Sequence, residues 1–180
     1  LSLDEDNLII KAANYIKDLS KNKELGANIF LKKNIPIGAG LAGGSSNAAA
    51  TLVGLNKLWD LEFDYETILL LAAKLGSDVP FFIDGGCQFC FGRGEILEKY
   101  NSKFDYGVIL LKNPNISIST VDIYTKYSKE FCSEYFTETE KTNDIRNNLR
   151  INGFKDLNFS EPRIKVKNDL QVIVEKENDS

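Results

Sequence analysis

The chain has 180 residues, enough for one large domain or two small ones. With 43% apolar (AVILMFWYC) and 27% charged residues it can bury a core, which excludes wholesale disorder. Lys+Arg 22 against Asp+Glu 26 gives a net charge of −4 and a pI near 5.0, so no broad basic face for duplex DNA or an anionic membrane is implied.

Asp4 to Asn7 supply helix N-cap candidates, and Leu8, Ala12, Ile16 and Leu19 follow at helical spacing. They predict a helix over about residues 5–20, broken by Asn22 and Gly26. Ala27 to Ile35 reads as a strand stopped by Pro36. A glycine-rich stretch, 38–46, leads into a helix from about Ser46 to Trp59, with Ala48, Leu52, Leu55 and Trp59 on one stripe that Ala49, Ala50 and Val53 widen, so burial on most sides is expected. Asp64 caps a further helix that ends near Leu75-Gly76, where Gly suits the position after a helix. Short strands are expected at FFI (81–83), CQFCFG (87–92) and EILEKY (95–100). Tyr106 to Leu111 reads as a buried strand, and Thr120 as the cap of a helix through Phe131. Thr137 to Asn152 is polar and weakly patterned, with helix expected, and Asn168 to Glu177 reads as a final helix. A composition change over Lys99 to Asp105 is the best candidate domain boundary.

Histidine is absent, which removes Ser-His-Asp and Cys-His nucleophile systems and the HExxH metal site. A general base must be of another type, most simply a carboxylate. Cys87, Cys90 and Cys132 are too few for a disulfide framework and suggest reduced thiols. Cys87 and Cys90 form a CxxC without a second one, and on a strand residues three apart face opposite ways, so packing is favoured over metal or redox chemistry. No run of eighteen apolar residues and no basic leader is present in LSLDEDN.

The stretch Gly38-Ala39-Gly40-Leu41-Ala42-Gly43-Gly44-Ser45-Ser46 between strand and helix carries the most chemical content. Glycines let backbone approach a ligand closely, and a helix N-terminus presents unpaired N–H groups at the positive end of its dipole. Together they form an anion site, phosphate above all. The bland alternative is a tight strand–helix corner. A Walker A loop is excluded because no Lys follows the glycines. Gly38-x-Gly40-x-x-Gly43 satisfies GxGxxG, but a dinucleotide fold also needs a second strand ending in an acid. Here Asp60, Glu62 and Asp64 lead into a helix instead. Asp78, in Leu75-Gly76-Ser77-Asp78-Val79-Pro80, reads either as a turn-forming Asp or as the carboxylate base.

The segment Pro36-Ile37-Gly38-Ala39-Gly40-Leu41-Ala42-Gly43-Gly44-Ser45-Ser46-Asn47, taken with Leu75 to Pro80, resembles the GHMP kinase superfamily. Gly92-Arg93-Gly94-Glu95 and Asn113 to Thr120 are similar to it as well. The likeness covers about residues 5 to 130 and then Asn168-Asp169-Leu170. Within the superfamily it points to the branch acting on a cytidine diphosphate-linked methylerythritol in non-mevalonate isoprenoid precursor synthesis.

The resemblance implies an α+β fold with a left-handed βαβ unit around residues 27–90, an exception to the usual crossover hand. It implies an ATP-binding N-terminal domain over residues 1–100 and a partial α/β C-terminal domain over residues 101–180. The activity implied is transfer of the ATP γ-phosphate, with Mg2+, to the 2-hydroxyl of the erythritol unit. In that comparison Gly38, Gly40, Leu41, Ala42, Gly43, Gly44, Ser45 and Ser46 hold the ATP phosphates, and Asp78 takes the hydroxyl proton. Lys33 and Asn7 fall near the adenine pocket, Thr120 near the substrate, and Tyr124 where an aromatic stacks on cytosine. Tyr124 could equally be a core aromatic on a helix face. The partner implied is a small molecule, with no nucleic acid and no membrane, in the cytoplasm, or in the plastid stroma if the source bears plastids.

Two family parts have no match in the sequence: a lysine near the family's N-terminus, followed by a GYH-type segment, and a glycine loop near its C-terminus. The chain is therefore expected to be an internal piece of such a kinase, feeble on its own. Two other readings stay open: a phosphate-binding module without catalysis, and a nicotinamide-dependent oxidoreductase built on the GxGxxG turn.

Overall fold

The computed structural model describes residues 5–37, 39–100, 107–111, 119–131, 143, 147 and 168–178. The chain divides into two compact units, Leu1–Ile109 and Leu110–Ser180.

The first unit is built on three helices, α1 (Leu8–Ser20), α2 (Gly43–Leu58) and α3 (Tyr65–Leu75). Each packs on the other two. Ala12 and Ile16 of α1, Ala48, Ala49, Leu52 and Leu55 of α2, and Ile68, Leu71 and Ala72 of α3 form one buried cluster, joined by Val79. The alanines at the contacts let the helices approach closely while Ile16 and Leu52 fill the centre, both fully buried. Truncating either of these two side chains to alanine would cost about 2–5 kcal/mol.

The ends of these helices follow from local chemistry. The Asn7 side chain caps α1 by accepting from the Ile9 amide at 2.9 Å, and Lys21 closes it in the left-handed region, φ 57°. Asp64 caps α3, accepting from the Thr67 amide at 2.9 Å. Gly76 follows α3 in extended backbone, φ 167°, not the left-handed turn expected of a glycine there. Between α2 and α3 the Asn56 side chain bonds both backbone groups of Phe63, at 3.0 and 3.1 Å, and Asp60 and Glu62 each take φ 52°. The acids of this stretch thus shape a turn and a helix cap.

Helix α2 begins at Gly43, three residues before the expected Ser46, because glycines at its first two positions extend it into the loop. FFI is no strand. Phe81–Asp84 is a helical turn, α4, entered through Pro80 in the right-handed helical region and closed by Gly85 donating to Phe81 at 2.8 Å. Pro80 sets a helical φ, and the turn packs on α2 and α3. Strands β1 (Gln88–Phe91) and β2 (Ile96–Lys99) pair antiparallel, with Phe91 opposite Ile96 and Gln88 opposite Lys99.

The class is α+β, as expected. The expected strand at 27–35 has no regular secondary structure, with a bend at Ile35 and no ladder among the described residues, and Phe30 is 93% exposed. A left-handed βαβ unit needs parallel strands, whereas the ladder among the described residues is the antiparallel β1–β2 pair. The segment 107–111, expected as a buried strand, also lacks a pairing partner among the described residues and is exposed from Val108 to Leu111. Apolar composition marks residues suited to a sheet, but burial needs a neighbour to pack on.

In the second unit, α5 (Thr120–Phe131) and α6 (Gln171–Asn178) pack on one another, with Ile123 and Ile173 buried. Thr120 opens α5 as its first helical residue and is not its cap. Ser119 plays that part, its hydroxyl accepting from the Asp122 amide at 3.3 Å. Lys176 bonds Glu130 between the two helices. The expected helix over 137–152 and Cys132 lie outside the described residues, Asn143 and Asn147 aside. No described helix is long and apolar enough to cross a membrane.

Candidate active site

The glycine loop turns sharply into α2. Gly40 takes φ 69° and Ala42, at the helix cap position, φ 48°. Ala42 carries a Cβ into the left-handed region, a conformation that costs about 1–2 kcal/mol for a residue with a side chain. The turn leaves Ser46 as the first amide of α2 with a helical acceptor, donating to Ala42 at 3.0 Å. The amides of Gly43, Gly44 and Ser45 precede it, and no side chain caps them. The first turn holds no acidic residue to offset the helix dipole. The Ser46 hydroxyl is turned back into the helix, donating to the Gly43 carbonyl at 3.2 Å. Gly38 lies outside the described residues.

Two other segments converge on this end of α2. A Cβ added to Gly43 would stand 2.7 Å from Lys33 Nζ and 2.9 Å from Ile35 Cγ2, so the Lys33 ammonium lies against the bare backbone of the helix start. A Cβ on Gly44 would stand 3.4 Å from Leu8 Cδ1, which places the start of α1 and the adjoining Asn7 at the same end. A cation and unpaired amides gathered at one point form an anion site of higher charge than the helix alone would offer.

Asp78 stands in the turn between α3 and α4 with an exposed side chain. Its neighbour Val79 is fully buried in the cluster that holds Ala48 and Ala49 of α2, so the Asp78 backbone is anchored to the core. Partial burial pushes the free Cys90 thiol up, and the nearby negative charge of Asp78 pushes it further the same way. A Cβ on Gly94 would stand 3.2 Å from the Ser77 carbonyl oxygen, so the β1–β2 turn backs the Asp78 turn. Sequence reasoning did not find this contact; two glycines and an acid in a four-residue hairpin loop were its one visible sign.

Thr120 and Tyr124 lie one turn apart on α5, both exposed, Tyr124 at 59%. A cleft of about 450 Å3 runs between residues 27–31 and α2, lined in part by Ile9, Asn47 and Thr51; neither Lys33 nor Asp78 lines it.

Residues 7–86 match the family description "GHMP kinases N terminal domain". A protein of Prochlorococcus marinus subsp. pastoris named 4-diphosphocytidyl-2-C-methyl-D-erythritol kinase is 86% identical over all 180 residues. A protein of the same name from a second Prochlorococcus marinus strain is 82% identical over all 180. The chain spans 58% of the length of each. A crystal structure of 4-(cytidine 5'-diphospho)-2C-methyl-D-erythritol kinase superposes with a TM-score of 0.65 at 27% identity, covering 99% of this chain and 60% of the other. The oxidoreductase reading loses its support, because the acids after the loop shape a turn and cap, and the matched family is one of kinases. By sequence motif, likeness over all 180 residues and fold together, the chain is similar to the GHMP kinases, with residues 7–86 matching the family's N-terminal domain.

Proposed function

We propose that the protein containing this chain is a small-molecule kinase that phosphorylates the 2-hydroxyl of 4-diphosphocytidyl-2-C-methyl-D-erythritol, a step toward isoprenoid precursors. The observation that carries the reading is the convergence of the Lys33 ammonium on the uncapped amides of Gly43, Gly44 and Ser45. Such a cradle fits the triphosphate of ATP, because it offers positive charge and backbone donors and no side chain at the closest point. ATP supplies the phosphoryl group when bound, and Mg2+ is proposed to accompany it, held chiefly by phosphate oxygens and water.

The roles of the chain's own residues follow. The amides at the start of α2 and Lys33 hold the phosphates and offset charge that grows on the transferring group. Asp78 accepts the proton of the attacking hydroxyl and orients it, which suits phosphoryl transfer, where alignment and electrostatics supply most of the rate. Asn7 spends its side-chain oxygen on capping α1, so its proposed part near the adenine is to place the start of that helix. Tyr124 and Thr120 present an aromatic face and a hydroxyl suited to a cytosine and its ribose. The unit holding Lys33, the loop and Asp78 is proposed as the ATP-binding domain, residues 1–100, with residues 101–180 as the second.

The test is a transfer assay on the full-length protein carrying this chain. Loss of ATP γ-phosphate matched by appearance of a phosphomonoester on the cytidine diphosphate-linked alcohol is the expected result. Phosphate-dependent ATP binding with no transfer to that alcohol would instead favour a binding module.

A further inference from the structure

We propose that Gly94, held in place by Glu95, is a positioning residue for Asp78: the turn between β1 and β2 sets the Ser77–Asp78 peptide and so aims the carboxylate. The inference rests on the reading of Asp78 as the base given above.

The two glycines of this loop are constrained differently. Gly92 takes φ 72°, and a Cβ there would meet only the Glu95 carboxylate of the same loop, at 2.8 Å. Gly94 takes φ 122°, and a Cβ there would meet the Ser77 carbonyl oxygen at 3.2 Å and the Ser77 carbonyl carbon and Cβ at 3.6 Å. Turn formation accounts for Gly92. Gly94 answers to a different segment, and 3.2 Å is inside the ~3.5 Å of ordinary contact. The Ser77 carbonyl shares its rigid peptide plane with the Asp78 amide. Displacing that oxygen therefore rotates the backbone from which the Asp78 carboxylate projects, while Val79 stays fixed in the core.

Glu95 makes the loop stiff enough to act this way. Its carboxylate accepts from the Arg93 amide at 2.8 Å. A bond from the Glu95 amide itself, and then the one from Arg93, hold the carboxyl below its ordinary range. The Gly94 amide donates to Phe91 at 3.0 Å, and Phe91 is buried at the end of β1. The loop is thus tied to the strand pair on one side and pressed on Ser77 on the other. A reacting group misplaced by about 1 Å can lose on the order of a hundredfold in rate, so a shift of a few tenths is measurable.

The experiment uses the full-length protein with every cysteine but Cys90 replaced by serine, Cys87→Ser and Cys132→Ser among them, so that Cys90 reports alone. Kinase kinetics and the rate at which a neutral maleimide labels Cys90 are compared for Gly94→Ala, Glu95→Gln and Asp78→Asn. Removing the Asp78 charge favours the Cys90 thiolate, so Asp78→Asn labels faster. Gly94→Ala is expected to lose about tenfold in kcat with KM for ATP within about twofold, and to label Cys90 at a rate moved toward that of Asp78→Asn. A folded Gly94→Ala with wild-type kcat and wild-type labelling overturns the proposal. If Gly94→Ala does not fold, Glu95→Gln decides, with about a threefold loss in kcat and the same KM split expected. Wild-type kcat in Glu95→Gln would then overturn it. Should Asp78→Asn itself keep wild-type kcat, the base assignment fails, and the labelling rates still show separately whether Gly94 sets the turn.

Discussion

The Lys33 ammonium nitrogen lies 2.7 Å from the point that a Cβ on Gly43 would occupy, at the uncapped start of α2. Glycine is required here by contact, since an alanine would push against the lysine and against Ile35. The lysine tip can swing away, but the Ile35 Cβ at 3.2 Å belongs to a shorter, stiffer side chain. Gly43→Ala is therefore expected to raise KM for ATP by about tenfold by moving Lys33 off the phosphate path. Lys33→Ala should raise it by about ten- to a hundredfold, the worth of one hydrogen bond to a charged group, with little change in melting temperature. Steady-state kinetics with a thermal melt separates the two effects, and an unchanged KM in Lys33→Ala would remove Lys33 from the phosphate site.

Asp78 projects from an anchored backbone, so its replacement should leave the surrounding fold intact. Asp78→Asn is expected to lower kcat by about a hundredfold or more while ATP binds within about threefold of wild type. Equilibrium nucleotide binding beside single-turnover transfer makes the distinction. Full turnover in the variant would make Asp78 a turn residue only.

The helices were legible because their signals are local. Asn7 and Asp64 cap as their side chains allow, and the apolar spacing of Ala12 and Ile16 marks the buried face of α1. The glycine turn into α2 was legible because glycines and a helix start stand side by side in sequence. What escaped depended on partners distant in the chain. The segments at 27–35 and 107–111 carry strand-like composition, yet pairing is a property of two segments and neither shows it alone. FFI carries strand formers, but Pro80 before it and Gly85 after it impose a helical turn. The closeness of Gly94 to Ser77 and of Cys90 to Asp78 follows from how a hairpin packs on a turn, which no spacing along the sequence encodes.

A second carboxylate, Asp84, ties α3, α4 and β2 together. It accepts from the Tyr65 hydroxyl and pairs with Lys99 at 3.2 Å. The Tyr65 bond, and then Lys99, hold the Asp84 carboxyl below its ordinary range, while the same bond, with burial and the charges of Asp84 and Glu66, pushes Tyr65 up to about 12. A depressed carboxyl contributes stability above the unfolded carboxylate range, ~3.9, and loses it as pH falls through the lower folded value. A raised phenol contributes fully below its ordinary 10.0 and loses its share as pH climbs toward 12. Tyr65→Phe is thus expected to cost about 1 kcal/mol near neutral pH, the group being partly solvated. The gap to wild type should narrow as pH falls below the ordinary carboxylate range and again at high pH. Urea midpoints across pH test this, and a gap that stays constant would assign the loss to packing.

Tyr124 offers the sharpest check on the substrate. On α5 the inward position is taken by Ile123, at 4% exposure, while Tyr124 next to it is 59% exposed and Thr120 opens to solvent one turn earlier. A core aromatic would be buried, so the ring is available as a stacking surface. Stacking a base on an aromatic ring is worth about 1–3 kcal/mol and does not depend on the phenol hydroxyl. In the full-length protein Tyr124→Ala should therefore raise KM for the cytidine-bearing alcohol by about five- to a hundredfold and leave KM for ATP unchanged, whereas Tyr124→Phe should behave as wild type. Thr120→Val, which keeps shape but removes one hydroxyl, should cost about two- to tenfold on the same parameter. A Tyr124→Ala variant that loses melting temperature and leaves KM for the alcohol at its wild-type value would return Tyr124 to a packing role, and the cytidine would have to be recognised by other residues.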